Sequence, residues 1–123
     1  MRCKRILVAK NHEDGRFLFA YRLRKIGDFD IIEATYGQEA LDLIVQNPPD
    51  LMFLDLDLPV PDGWETVRRI RAMEGAVKNL PIIGFTCSLI NKEKVLAAGC
   101  DDYISDLIID INVLKEKLER FLS

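Results

Sequence analysis

A chain of 123 residues, 49% apolar and 30% charged, is long enough for one domain with a real core and needs no covalent staples. Its net charge of −3, without clustered Lys and Arg, gives no footprint for nucleic acid. No apolar run approaches the ~18 residues of a membrane span, and the four apolar residues after Arg5 fall far short of a signal peptide.

Three scattered cysteines, Cys3, Cys87 and Cys100, make no disulfide framework. Their apolar neighbours point to buried or half-buried free thiols in a reducing, cytoplasmic setting. A single histidine, His12, cannot build a zinc cluster alone. Arg68, Arg69 and Arg71 fall on a helical pattern and read as a solvated face.

In chain order, Arg5 to Ala9 reads as a buried strand, followed by the loop Lys10 to Gly15. A helical pattern runs from about Glu13 to Ile26, with Phe19, Leu23 and Ile26 on one face and Gly27 as its C-cap. Phe29 to Ala34 is a second, mixed strand of the kind found at a sheet edge. A second helix, Gln38 to Gln46, turns Ala40, Leu41 and Ile44 inward and stops at Asn47-Pro48-Pro49. Leu51 to Leu54 is a third strand and Trp64 to Met73 a third helix, using Val67 and Ile70. Ile82 to Phe85 is a fourth strand. Asn91 caps a short helix through Ala98, ended by Gly99. Tyr103-Ile104 is a brief fifth strand. Asp110 to Leu122 is the last helix, with Ile111, Leu114, Leu118 and Phe121 spaced three and four apart.

The order is therefore βα repeated five times, which right-handed crossovers turn into a doubly wound parallel α/β sheet with helices on both faces. Residues 1–123 read as a single domain with no repeat and no linker. In such a sheet ligands gather beyond the carboxyl ends of the strands. The third strand is four apolar residues, Leu51 to Leu54, leading straight into Asp55. Loop residues follow: Asp57, Pro59, Pro61, Asp62 and Gly63. Asp55 stands where this architecture places its chemistry.

Leu54-Asp55-Leu56-Asp57-Leu58-Pro59-Val60-Pro61-Asp62-Gly63 is close to the M-D-x-x-M-P-x-M-D-G signature of the response regulator receiver domain. Thr86 after the fourth strand and Ala97-Ala98-Gly99-Cys100-Asp101-Asp102-Tyr103-Ile104 before the fifth also match that family's pattern. The chain resembles this family from Arg5 to Leu122. The resemblance implies a flavodoxin-like five-stranded sheet in the order 2-1-3-4-5. It also implies a non-enzymatic signalling module of a two-component phosphorelay, with a protein partner such as a sensor histidine kinase or a downstream effector. It implies a phosphoacceptor at Asp55 and a switch made of Thr86 and Tyr103.

Three family features are altered, at four residues. Lys10-Asn11 replaces the acid pair that holds Mg²⁺ with the phosphoacceptor, Asp106 replaces a lysine, and Leu107 a proline. The stretch from Thr86 to Gly99 is also about two residues shorter than is usual. A unit charge at ~4 Å is worth ~4 kcal/mol at an effective dielectric of 20, and a divalent ion doubles it. Exchanging a carboxylate for an ammonium reverses that sign, so the cofactor expectation here is none, against the family's Mg²⁺. The positive Lys10 and negative Asp106 look exchanged, which predicts that Lys10 bridges to Asp55, to Asp106 or to both. This favours an atypical receiver with impaired phosphorylation at Asp55 over a conventional phosphoacceptor. Trp64 reads as a packing residue beside the site. A different class, a small phosphatase using Asp55-Leu56-Asp57 as a D-x-D motif, lacks a basic phosphate clamp. A flavin-binding reading lacks a phosphate loop after the first strand.

Overall fold

The computed structural model describes residues 3–86, 92–105 and 110–122. Five strands, β1 (Arg5–Ala9), β2 (Asp30–Ala34), β3 (Leu51–Asp55), β4 (Ile82–Thr86) and β5 (Asp102–Ser105), form one sheet in the order β2-β1-β3-β4-β5. All four pairings are parallel. The helices are α1 (Glu13–Ile26), α2 (Gly37–Gln46), α3 (Gly63–Arg71), α4 (Lys92–Ala98) and α5 (Ile111–Leu122), with a short 3₁₀ turn at Ala76–Asn79. The expected architecture and strand order are present.

Strand side chains alternate faces with a period of two, and the core divides accordingly. Ile6, Val8, Leu51, Phe53, Ile83 and Phe85 meet Phe19 and Leu23 of α1 and Leu114 and Leu118 of α5. Leu7, Ala9, Met52, Leu54 and Ile82 face the other way, toward α2, α3 and α4. The buried runs of β1, β3 and β4 read as continuous apolar stretches because both faces are covered. At the sheet edge β2 keeps an exposed Asp30 and Glu33.

Several details differ from the sequence expectation. Ile111 is 43% exposed. It is the first residue of α5, and that helix meets the core only from Leu114 onward. Cys3 is exposed rather than buried, while Cys100 is buried as expected. Arg71 is no solvated charge. It donates to the carbonyls of Gly99, Lys78 and Leu80 and pairs with Asp101 at 2.9 Å, tying the end of α3 to the approach to β5. Asp55 closes β3 instead of following it, and the backbone amide of Leu56 still reaches Phe85 O at 2.9 Å. The expectations placed on Cys87, Asn91, Asp106 and Leu107, and on the length of the segment before α4, fall on residues outside those described.

Candidate functional site

Parity decides who meets at the top of the sheet. Lys10 follows Ile6 and Val8 two by two, Asp55 follows Leu51 and Phe53, and Phe85 is the register partner of Asp55. All three therefore rise from the α1 side. Lys10 Nζ lies 3.8 Å from Asp55 Oδ2, with both side chains about nine-tenths buried. The same ammonium sits over the Phe85 ring, 4.9 Å from its centroid. The bridge from Lys10 to Asp55 expected from the sequence is formed. Its length exceeds the 2.7–2.9 Å of a charge-assisted hydrogen bond, so the attraction is coulombic, in a setting where water screens it little.

Room for Lys10 comes from α1. A Cβ on Gly15 would stand 2.5 Å from Lys10 Cε, so the bare backbone of the helix's first turn leaves the lysine stem its path. His12 caps that turn, its Nδ1 accepting from Gly15 N at 3.1 Å. The sequence reading missed both roles. Histidine is not among the usual N-cap residues, so no local signal pointed to the cap.

Asn11 points outward and donates from Nδ2 to Thr35 O at 2.9 Å. Glu13 and Asp14 are exposed in the first turn of α1. Among the described residues no three His, Cys, Asp or Glu side chains gather as metal ligands.

The loop after β3 is held closely. Leu56 and Leu58 are buried, so Asp57 between them is turned outward. Leu58 N returns to Asp55 O at 3.1 Å. A Cβ on Gly63 would lie 2.3 Å from Asp55 O, so only glycine lets α3 start this close to the strand tip. Asp62 caps α3 by accepting from Glu65 N at 2.8 Å. Asp57 N donates to Asp55 Oδ1 at 2.9 Å. Thr86, fully buried at the end of β4, donates from Oγ1 to Asp57 Oδ2 at 2.6 Å. The sequence reading placed Asp57 in the loop and gave it no bond to Thr86. Trp64 and Tyr103 are each half-buried against the α2–α3–α4 core, the packing role expected of Trp64.

A second charged group lies away from the strand tips. Asp102 is 2% exposed and takes Lys117 Nζ at 2.5 Å, Arg120 Nη1 at 3.4 Å and Lys92 Nζ at 3.7 Å. Burial acts to raise its carboxyl pKa. The Lys117 hydrogen bond, the Tyr103 N–H and the charges of Lys117 and Lys92 outweigh that, and the group ends below the ordinary aspartate value. Burial likewise pushes the Cys100 thiol up to about 12, which leaves it unreactive near neutral pH.

The sequence pattern of the response regulator receiver domain matches residues 6–119. This chain belongs to that family. It is 33% identical over 121 residues to a chemotaxis protein CheY homolog of Campylobacter jejuni, covering 96% of this chain and 92% of that protein. It is also 33% identical over 122 residues to the CAI-1 autoinducer sensor kinase/phosphatase CqsS of Vibrio cholerae, covering 97% of this chain but 17% of that protein. Among solved structures, the receiver domain of the sensor histidine kinase PA1611 of Pseudomonas aeruginosa, with a magnesium ion in its active-site cleft, superimposes with a TM-score of 0.87. It is 25% identical, with 98% of both chains covered. The receiver domain of Ssk1 of Saccharomyces cerevisiae, crystallised with the histidine phosphotransfer protein Ypd1, gives a TM-score of 0.82 at 25% identity, covering 97% of this chain and 88% of that one. Receiver modules of two-component signalling are thus the class to which this chain belongs. Among its described residues no helix is long and apolar enough to cross a membrane.

Proposed function

We propose that this chain is an atypical receiver module in which Lys10 supplies the positive charge that a divalent cation supplies elsewhere. One observation carries the reading: the buried Lys10 ammonium stands 3.8 Å from Asp55 Oδ2. Mg²⁺ requires near-octahedral oxygen ligands, usually including carboxylates. The charged oxygens that the described residues bring to this site are those of Asp55 and Asp57, and an ammonium stands against the first of them. That donor set does not suit Mg²⁺, and the Mg²⁺-assisted transfer of a phosphoryl group to Asp55 is impaired with it. The snug seat of Lys10, between the Phe85 ring and the space over Gly15, argues for a built feature over a decayed one.

The module works by presenting surfaces to protein partners and is not itself an enzyme. The first turn of α1 adjoins the site, and further along it exposes Phe17, Leu18 and Tyr21. That apolar set suits a helical partner of the histidine kinase or phosphotransfer kind. A conventional phosphoacceptor role draws its support from Asp55 and Thr86, both present at the strand tips.

Incubation with Mg²⁺ and acetyl phosphate, followed by intact mass and Trp64 fluorescence, separates the two. The expected result is an unchanged mass and an unchanged spectrum. An Asp55-dependent gain of one phosphoryl group would overturn the proposal. The paired exchange Lys10→Asp with Asp106→Lys is expected to give a chain whose Trp64 emission responds to Mg²⁺.

A further inference from the structure

Asp57 and Thr86 are 29 residues apart and share a short hydrogen bond. At 2.6 Å it lies in the range of hydroxyl-to-carboxylate bonds. A threonine hydroxyl carries one proton. While that proton is given to Asp57 Oδ2, it cannot be given to an acceptor on Asp55.

The backbone that carries this carboxylate is held at three points. Leu56 and Leu58 are buried on either side of it. Its own N–H is donated to Asp55 Oδ1. Leu56 N extends the bonding of the strand to Phe85 O. The backbone is thus fixed under an exposed side chain, and the Thr86 hydroxyl is the group its Oδ2 meets.

Thr86 in turn belongs to β4, which is paired residue by residue with β5: Thr86 with Ser105, Phe85 with Ile104, Gly84 with Tyr103. Gly84 also touches α4, since a Cβ there would meet Val95 Cγ1 and Cys100 Sγ at 3.0 Å. A change in Thr86 therefore has a direct mechanical path into β5 and α4.

We infer that Asp57 is a positioning residue that fixes Thr86, and through it the β5–α4 face, with no covalent group on Asp55. The inference rests on the receiver reading above and adds the group that takes over the hydroxyl. In this chain the acceptor for Thr86 is internal. The β5–α4 face is then preset, and a partner that reads it meets one conformation.

Backbone amide NMR without Mg²⁺ or phosphodonor tests this on wild type, Asp57→Ala, Asp57→Asn, Thr86→Val and the double variant Asp57→Ala/Thr86→Val. The expected result is that Asp57→Ala and Thr86→Val shift the same amides of residues 92–98 and 102–105, in the same direction. The double variant should add nothing further. Asp57→Asn keeps an oxygen acceptor and should stay near wild type. Shifts of Asp57→Ala confined to residues 55–63 would overturn the inference. So would Asp57→Asn shifts as large as those of Asp57→Ala, because charge rather than the accepted proton would then matter. Should Thr86→Val fail to fold, the two Asp57 variants still decide. A phosphoryl gain by the wild-type chain defeats the reading of Lys10 and leaves this amide pattern standing. Loss of the pattern without phosphoryl gain defeats only the inference.

Discussion

Two buried carboxylates in this molecule solve the same problem in different ways. Asp102 is surrounded by Lys117, Arg120 and Lys92, drawn from two helices, with the nearest nitrogen at hydrogen-bond distance. Asp55 has the Lys10 ammonium at 3.8 Å, from the loop after the neighbouring strand. Lys92 and Arg120 are largely exposed, whereas Lys10 is buried with its acid. Desolvating both members of a pair is costly, and a long separation recovers less of that cost. Asp102 is arranged for stability. Asp55 sits at the strand tips where the receiver family keeps its chemistry, and its distance from Lys10 is longer than that between Asp102 and Lys117.

The comparison is broken most directly at Lys10. Lys10→Met keeps the stem's volume over Phe85 and leaves Asp55 buried without its ammonium. Removing one member of a buried pair costs about 3 kcal/mol or more, and urea unfolding at pH 7 should show a loss of that size. Lys10→Met combined with Asp55→Asn should recover most of it, because the buried negative charge is gone with the positive one. A single variant as stable as wild type would mean that the pair contributes nothing and Lys10 is ornamental.

Asp102→Asn should have the next largest effect, about 1–3 kcal/mol at pH 7, from hydrogen bonds to charged donors lost in a buried place. Its pH dependence has a definite sign. The folded carboxyl titrates below its ordinary value, by the balance of burial against the cations and N–H that face it. Such a group adds stability above the unfolded pKa of about 3.9 and loses it as pH falls through the folded value. The gap between wild type and Asp102→Asn should therefore be full at pH 6 and shrink below about pH 4. A gap that stays constant down to pH 2.5 would show that the cations around Asp102 do not lower its pKa.

Most of the fold was legible because it rests on local patterns. Four or five apolar residues in a row, bounded by Pro, Gly, Asn and Asp, mark strands covered on both faces. Strand order followed from the resemblance, and Asp55 from its place after such a run. What was not legible depends on contacts across the chain. Nothing near Asp57 in sequence tells that its acceptor oxygen serves a hydroxyl 29 residues away. Arg71 read as one charge in a basic run, yet its reach to three carbonyls is set by where the chain runs into β4 and later into β5. Ile111 fitted the apolar spacing of α5, but spacing does not say where a helix first meets the core.

Gly15 is the smallest and sharpest test of how Lys10 is held. A glycine in the first turns of a helix normally costs about 1 kcal/mol against alanine, so Gly15→Ala in isolation should stabilise α1. Here the new Cβ would fall 2.5 Å from Lys10 Cε. The lysine end is flexible and can move, but moving it carries the ammonium away from Asp55. In the wild-type background the helical gain should therefore be cancelled or reversed. In a Lys10→Ala background the atom left near the new Cβ is His12 Nδ1 at 3.4 Å, an ordinary contact, and the same change should stabilise the chain by up to about 1 kcal/mol. The four unfolding midpoints close a double-mutant cycle with a coupling of about 1 kcal/mol between residues five apart in sequence. Additive effects would mean that the lysine stem does not run through the space left by Gly15, and the fit of that stem would then be no evidence that the ammonium was built into the site.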